Sequence, residues 1–524
     1  MKRESKVKIG EVSGEQVIDL ALDTVKIKKQ ALVFVGTKRS AEKSAEDIAK
    51  KLKLSSKDLN ELSEKILKAL PKPTKQCERL SFCVKCGVAF HHAGLTSSQK
   101  ELVEDSFRSG LLKIICCTPT LAIGVDLPAF RAIIKDLRRF GSEEGLSWIP
   151  VLEYLQMAGR AGRPKYDSYG EAIAIASSDS NKEEIRNRYL NGVPEDIFSK
   201  LAVEPALRTY ILSLVATEFV NTKKEIIDFF SKTFWAFQYG DLTKLEQIIL
   251  RMLKLLEEFE FIKFSGKEDF VSANELSVEK YSTTILGKRV AELYIDPLTA
   301  FFLISCVKRA SSQEFNDFSL LQMVCDTIEL RPLLRVKASE FDEIQEQIVL
   351  YEDVLLVDEP SLYESEYEDF TASVKTALML FEWVNEKDEE FLLEKYNVRP
   401  GELRVKLEVA DWLLYSSYEL TRILKLQPIL KEISKLRFRL KYGAKEELVA
   451  LLQLKNIGRV RARKLFHNKI KDLADVKKVD VSVLAHILGK SVAIDIKEQV
   501  GQKVDMDKVP EGKKRGQINL GDYL

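Results

Sequence analysis

Between residues 17 and 200, short runs of β-branched and other apolar residues alternate with stretches of helical periodicity. The runs predict strands over 31–35, 88–91, 113–117, 132–134 and 172–176, with a helix over about 40–52 after the first. Strand and helix in regular alternation give an α/β domain with a mainly parallel sheet. From about Leu201 the rhythm changes to long amphipathic helices. Residues 205–261 hold several of them, 262–274 read as a small β wing, and a helical block covers 295–425. A last small helical unit over 430–505 precedes a polar tail. No internal repeat or low-complexity stretch interrupts this order.

Composition narrows the picture. A chain of 524 residues is too long for one core and suggests roughly three to five domains. With 45% hydrophobic and 31% charged residues it reads as globular. No apolar run approaches the roughly 20 residues that cross a bilayer, so no membrane partner is expected. The start, MKRESKVKIGE, has no apolar core and does not read as a secretory signal. Seven scattered cysteines suit a reducing compartment, and a cytoplasmic protein is expected. The net charge of +1 conceals segregation: 340–369 carries twelve acidic residues and no Lys or Arg, whereas 431–464 carries eleven basic and three acidic ones. Either these are solvated helix faces, or the basic stretch meets a polyanion while the acidic belt faces elsewhere.

The strongest motif is Gln156-Met-Ala-Gly-Arg160-Ala-Gly-Arg163-Pro. Two arginines three apart on one helical turn would point the same way, and the glycines between them would admit a neighbouring surface. Such guanidinium forks suit the charge that builds on a phosphoryl group in flight. Alone, an R-x-x-R pair is more often a solvated face. The preceding run Thr118-Pro-Thr120-Leu-Ala-Ile-Gly124-Val-Asp126-Leu-Pro128 favours the chemical reading.

QMAGRAGRPKYD and TPTLAIGVDLPA resemble motifs VI and V of superfamily 2 helicases, LVFVGTKRSAE (32–42) resembles motif IV, and FHHAGL (90–95) resembles the motif after it. The wording is most similar to the Hjm-type DNA helicases of archaea, relatives of HELQ and of the polymerase theta helicase domain. YSTTILGKRVAELYIDP (281–297) and ADWLLYS (410–416) extend the resemblance over nearly the whole chain. It implies a second RecA-like domain over 1–200 with a β-hairpin at about 135–150, a winged-helix domain over 201–294, and a helical ratchet domain over 295–425. A helix-hairpin-helix domain over 430–505 and a flexible tail over 506–524 would follow.

Carried over by position, the resemblance gives Arg160, Arg163 and Gln156 catalytic roles at the ATP γ-phosphate, with Gly124 and Asp126 near the nucleotide. Thr37, Arg39, His92, Thr118 and Thr120 would lie on the DNA-phosphate side, where hydroxyls and backbone N–H groups hold a strand without reading it. The family often has Asn or Ser where this chain has Gly36. For His91-His92 the plain alternative is a packed strand end. In the hairpin, Phe140 or Trp148 would stack on the last base pair as a wedge, at roughly 1–3 kcal/mol per base; the alternative is a surface loop. The ratchet helix would carry Arg404, Glu408 and Trp412, four apart, gripping a single strand, unless Trp412 belongs to the core. The basic residue the family has seven before this Trp corresponds to Val405.

LLQLKNIGRVRARKLF (451–466) resembles a helix-hairpin-helix, whose turn offers backbone N–H groups to a phosphate. Asn456 replaces the usual first glycine and tolerates a left-handed backbone better than most residues. Arg459, Arg461 and Arg463 add charge for DNA. Gln517, Leu520, Tyr523 and Leu524 fit a sliding-clamp-binding motif, the alternative being an unordered terminus.

Phosphoryl transfer also needs a phosphate cradle with its Lys, and carboxylates for Mg²⁺. The sequence contains no G-x-x-x-x-G-K-[ST]. Gly489-Lys490-Ser491 has Leu484 where the first Gly should stand, and Asp358-Glu359 imitates a helicase acidic box in the wrong order, within an expected loop. Cys83-x-x-Cys86 has no second pair nearby, so no metal site is expected. Cys116-Cys117 lies in an expected buried strand. The resemblance therefore implies an ATP-dependent 3′–5′ DNA helicase working on single-stranded and forked DNA in replication-coupled repair. ATP and Mg²⁺ would be held mainly by a first RecA-like domain ahead of residue 1. A separate P-loop polypeptide would supply that domain if the gene is split, which the initiating Met favours; otherwise the sequence is truncated. The rival readings are a non-catalytic DNA- or clamp-binding adaptor and a Ski-like RNA helicase.

Overall fold

The computed structural model describes residues 9–141, 145–163, 167–265 and 280–502. It divides into two compact units, one of residues 1–197 with 389–405, the other of 198–388 with 406–524.

In the first unit, β1 (Ala31–Phe34), β2 (Val88–His91), β3 (Ile114–Cys117), β4 (Arg131–Ile134) and β7 (Glu171–Ala174) form one sheet. All pairs are parallel and the order is β2-β3-β1-β4-β7. Four of the strands are buried at every position, as parallel strands covered on both faces must be. The helices of this unit are α1 (Gln16–Lys26), α2 (Lys38–Leu52), α3 (Lys57–Leu67), α4 (Lys75–Lys85), α5 (Ser97–Arg108), α6 (Thr120–Gly124), α7 (Val151–Ala158) and α8 (Asp179–Ile185). Thr37, Ser56, Thr74 and Thr96 cap helices α2 to α5, each side chain accepting the backbone N–H three residues on. The cap at Thr37 starts α2 two residues before the expected position.

Cys116 and Cys117 are buried in β3, as expected, and burial pushes both thiols well up. Six of the seven cysteines are buried; Cys86, at the end of α4, is half-buried, and all seven are free. The antiparallel pair β5 (Arg138–Gly141) and β6 (Gly145–Trp148) forms the expected hairpin, with Arg138 opposite Trp148 at its base.

Residues 389–405 join this unit, although the sequence reading placed them in the helical block 295–425. Two glycines explain the close docking. The Gly401 amide donates to the Gly94 carbonyl at 3.0 Å, and a Cβ on Gly401 would stand 2.2 Å from the Leu95 carbonyl oxygen. Lys38 pairs with Glu402, and Arg399 Nε donates to Glu42 Oε1 at 3.0 Å.

The second unit is helical apart from one antiparallel pair, β8 (Ile262–Ser265) and β9 (Lys280–Thr283), among its described residues. The second strand of this wing begins beyond the expected window, and 266–279 lie outside the described residues. Arg208 and Asp296, both buried, pair inside this unit. Helix Pro400–Ile423 carries Arg404, Glu408 and Trp412. Residues 355–360, the imitation acidic box, form a loop in which Asp358 pairs with Arg309. Ala444, Leu448, Leu465, Val476, Leu484 and Ile496 belong to a separate small core. Among the described residues no single helix is long and apolar enough to cross a membrane.

Candidate nucleotide and nucleic-acid site

Ligands of open parallel sheets sit beyond the carboxyl ends of the strands. There, after β1, β2 and β3, lies a cleft of about 770 Å³ lined by Thr37, Arg39, Thr118, Thr120, Arg139 and Arg399, among others. The structure thus brings together four of the residues expected on the DNA-phosphate side. Thr37 and Arg39 are exposed, and the hydroxyls of Thr118 and Thr120 are 2.9 Å apart. The Gly36 amide donates to Asp136 Oδ2 at 2.8 Å, so this backbone group is already engaged. Such a surface can hold a phosphate chain by hydroxyl and guanidinium contacts.

His92 is not part of that surface. Its ring is fully buried. Nδ1 accepts the Gly94 amide at 3.1 Å, which leaves the proton of the neutral ring on Nε2, 3.2 Å from Glu42 Oε1. Burial lowers the imidazole's pKa and keeps it neutral. Glu42 also receives Arg79 and Arg399. Burial alone would raise its pKa, but hydrogen bonds from His92 and Arg399 and the two guanidinium charges hold it at about 2. In this structure His92 braces the FHHAGL loop and offers no face to a DNA backbone. Its neighbour His91, also buried, sets Nε2 3.0 Å from Glu104.

The expectation of two arginines on one helical turn is corrected. Helix α7 ends at Ala158, and Gly159 and Gly162 carry the chain out of it. Gly162 adopts φ +91°, and its amide donates to the Ala129 carbonyl at 2.6 Å. Its backbone also lies so close to Gly170 that a Cβ there would stand 2.2 Å from the Gly162 nitrogen. The two guanidiniums therefore take different partners. Arg160 Nε donates to the Ala122 carbonyl at 3.0 Å, and Nη1 lies 3.3 Å from Asp126 Oδ1. Asp126 is 95% exposed, so this pair borders solvent beside Gly124. Arg163, half-buried like Arg160, sets Nε 2.8 Å from Asp167 Oδ2 and Nη1 2.8 Å from Gln30 Oε1. Asp167 is also paired with Lys29, and the bonds from Arg163 and Lys29 hold its carboxyl at about 2. Gln156 is half-buried on α7.

Trp148 sits at the hairpin base. Its indole N–H donates to Glu184 at 3.0 Å, and the guanidiniums of Arg138 and Arg188 lie 4.1 and 5.4 Å from the ring centre. In this structure it is a strut for the hairpin, not a free stacking surface. Phe140 is opposite Leu146 in the register; its side chain lies outside the described residues.

Arg404 is exposed on helix Pro400–Ile423, while Trp412 is half-buried with its indole N–H donating to the Leu293 carbonyl at 3.1 Å. Asn456 has φ +64°, the left-handed conformation its place in the turn required. The arginines after it are engaged locally. Arg459 lies 4.3 Å over the Trp383 ring and donates to the Lys387 carbonyl at 3.1 Å. Arg461 donates to the Asn456 carbonyl at 2.7 Å, and Arg463 to Glu386 and Glu447 at 2.8 and 2.6 Å. The clamp-motif residues Gln517, Leu520, Tyr523 and Leu524 lie outside the described residues.

The sequence reading missed Glu42, Arg399 and Asp167, whose partners are set by the fold. Only Asp167, four residues after Arg163, carried a local signal.

Over residues 63–165 the chain matches the family described as the helicase conserved C-terminal domain, and over 318–443 that described as archaeal helicase, domain 4. It is 38% identical to the ATP-dependent DNA helicase Hel308 of Methanococcus vannielii, over 95% of this chain and 69% of that protein. It is 37% identical to the protein of the same name from Methanocella arvoryzae, over 99% and 69%. For the one from Pyrococcus abyssi the figures are 38%, over 96% and 68%.

Proposed function

This chain belongs to the Hel308 family of archaeal ATP-dependent DNA helicases, and on that premise we propose that it supplies one wall of a nucleotide pocket and the strand-gripping parts of a 3′–5′ motor that opens branched or forked DNA. One observation carries the reading: Thr37, Arg39, Thr118 and Thr120 meet in one cleft beyond the carboxyl ends of a parallel sheet. All four suit a phosphate backbone and none reads a base, as translocation over any sequence requires.

ATP with Mg²⁺, when bound, supplies the free energy of phosphoryl transfer. This chain's residues fit its triphosphate end in part. Arg160 is held by the Ala122 carbonyl and sets Nη1 beside the solvent-exposed Asp126, where its side chain is 21% exposed. Arg163, tied to Asp167 and Gln30, holds the turn from which Arg160 projects. A phosphate cradle and its Lys are absent from the sequence. In this reading they come from a second RecA-like lobe, provided by a separate polypeptide or by further sequence of the same one. The domain series of winged helix, ratchet and helix-hairpin-helix, and the clamp-binding tail, belong to the same proposal.

The test adds the portion of the Methanococcus vannielii relative that this chain does not span. DNA-stimulated ATP hydrolysis should appear in the mixture and not with the chain alone. Arg160→Ala should lower it about a thousandfold, the scale of a lost arginine finger. Hydrolysis that ignores Arg160→Ala would overturn the assignment. A second reading, a non-catalytic DNA-binding adaptor, draws on the engaged head of Arg163; it requires DNA binding indifferent to ATP and to Arg160.

A further inference from the structure

The residues after α8 take no part in the cleft, yet they are built with care. Arg186–Leu190 form one turn of π-helix, a costly geometry that recurs at functional places. It delivers the ring of Tyr189 into the core. The Tyr189 hydroxyl donates to the Ile149 carbonyl at 2.8 Å and lies 3.4 Å from the Leu137 carbonyl. Those two residues flank the hairpin strands, so one hydroxyl spans both arms at their base. The ring stacks on Tyr154 of α7 with centroids 4.7 Å apart and meets Trp148 of β6 edge-on at 6.0 Å.

Six residues further on, the Glu195 carboxylate accepts the Val151 amide at 2.6 Å and the Leu152 amide at 3.1 Å. These are the first two amides of α7, and its N-cap, Pro150, makes no side-chain cap. A helix start leaves such donors without partners unless something outside the helix supplies them. The backbone bonds lower the Glu195 pKa and keep the acceptor charged. A third tie joins the hairpin to the same helix: Arg139 Nη1 is 2.9 Å from Glu153.

Resting on the proposed function, in which the hairpin parts the duplex and Arg160 serves the nucleotide, we propose that Tyr189 and Glu195 are positioning residues that clamp the hairpin base and helix α7 into one lever. Eight helical residues make a rod of about 12 Å. One end of this rod is tied to the hairpin by Tyr189 and the Arg139–Glu153 pair, with Glu195 holding its first turn to the segment that carries Tyr189, and the other leads through Gly159 to Arg160. A tilt imposed at Arg160 is thereby delivered to the hairpin. The clamp converts a nucleotide-dependent movement into strand separation and touches neither ATP nor DNA itself.

Two variants test it. Tyr189→Phe keeps the ring and loses the hydroxyl; Glu195→Gln alters an exposed side chain and keeps one acceptor. Hydrogen exchange on the full chain should show the hairpin amides and those of Val151 and Leu152 speeding up together in Tyr189→Phe, roughly fivefold, the worth of one neutral hydrogen bond, with the sheet amides unchanged. A loosened hairpin beside an unaltered α7 would overturn the clamp. In the assembly with the added lobe, base pairs opened per ATP should fall roughly fivefold in each variant while DNA-stimulated hydrolysis stays within about twofold. Equal losses of hydrolysis and unwinding would reduce the two residues to ordinary structural ones and overturn the lever. If the assembly hydrolyses no ATP, the proposed function fails, and the exchange pattern still decides the clamp.

Discussion

Glu42 shows how much one side chain can hold. It is a buried carboxylate that meets two guanidiniums and an imidazole, and its partners come from α4, from the FHHAGL loop and from the segment before helix Pro400–Ile423. Its folded pKa of about 2 lies below the ordinary 4.5, and that of Asp167, also about 2, lies below 3.8. A depressed carboxyl pKa contributes stability that is complete above the unfolded value and is lost as the pH falls through the folded one. The first unit should therefore lose stability between pH 4.5 and 2, read as a falling thermal midpoint. Glu42→Gln should flatten that dependence and cost about 2 kcal/mol at neutral pH, less than for a fully buried pair because Arg79 is partly exposed. An unchanged pH profile would show that the carboxylate is not the group concerned.

At the scale of elements, the docking of residues 389–405 on the FHHAGL loop within the first unit depends on Gly401. Gly401→Ala should cost about 1–3 kcal/mol by overpacking, read by chemical denaturation, because its Cβ would meet two backbone carbonyls. Gly124→Ala, where a Cβ meets nothing within 4 Å, should be neutral. The strands were readable in the sequence because parallel strands buried on both faces are simply apolar, as 31–34 and 114–117 are. Their order was not, since β1 lies between β3 and β4 through pairings that no local pattern encodes. The left-handed turn at Asn456 was readable from the residue alone. The end of α7 could have been read from Gly159 and Gly162, but the R-x-x-R spacing suggested a continuing helix. His92 and Trp148 looked like surface contacts because the acceptors that bury or tether them, Glu42 and Glu184, are remote in sequence.

For the whole molecule, 81 basic residues against 80 acidic ones leave little net field to draw in DNA. Much of the basic stretch 431–464 is neutralised inside its own unit: Lys435 pairs with Glu446, Arg437 with Asp411, Arg439 with Asp317, and Arg463 with Glu386. In the proposed function, contact with DNA would then rest on a few cations such as Arg39. Single-strand affinity should be equal for strands of different sequence and should fall with salt at about −0.7 log units per phosphate contact, so Arg39→Ala should make the slope shallower by about 0.7. Anisotropy titrations over a salt series would measure it, and a marked preference for one base would contradict backbone gripping.

Because every thiol except that of Cys86 is shut inside the fold, this chain already possesses a single chemical handle. A maleimide dye should attach once per native molecule, verifiable by mass spectrometry, with no cysteine removed by mutation. Fluorescence from that one position, paired with a dye on a forked strand, would then follow in real time any movement of the chain on DNA once the added lobe of the proposed function is present.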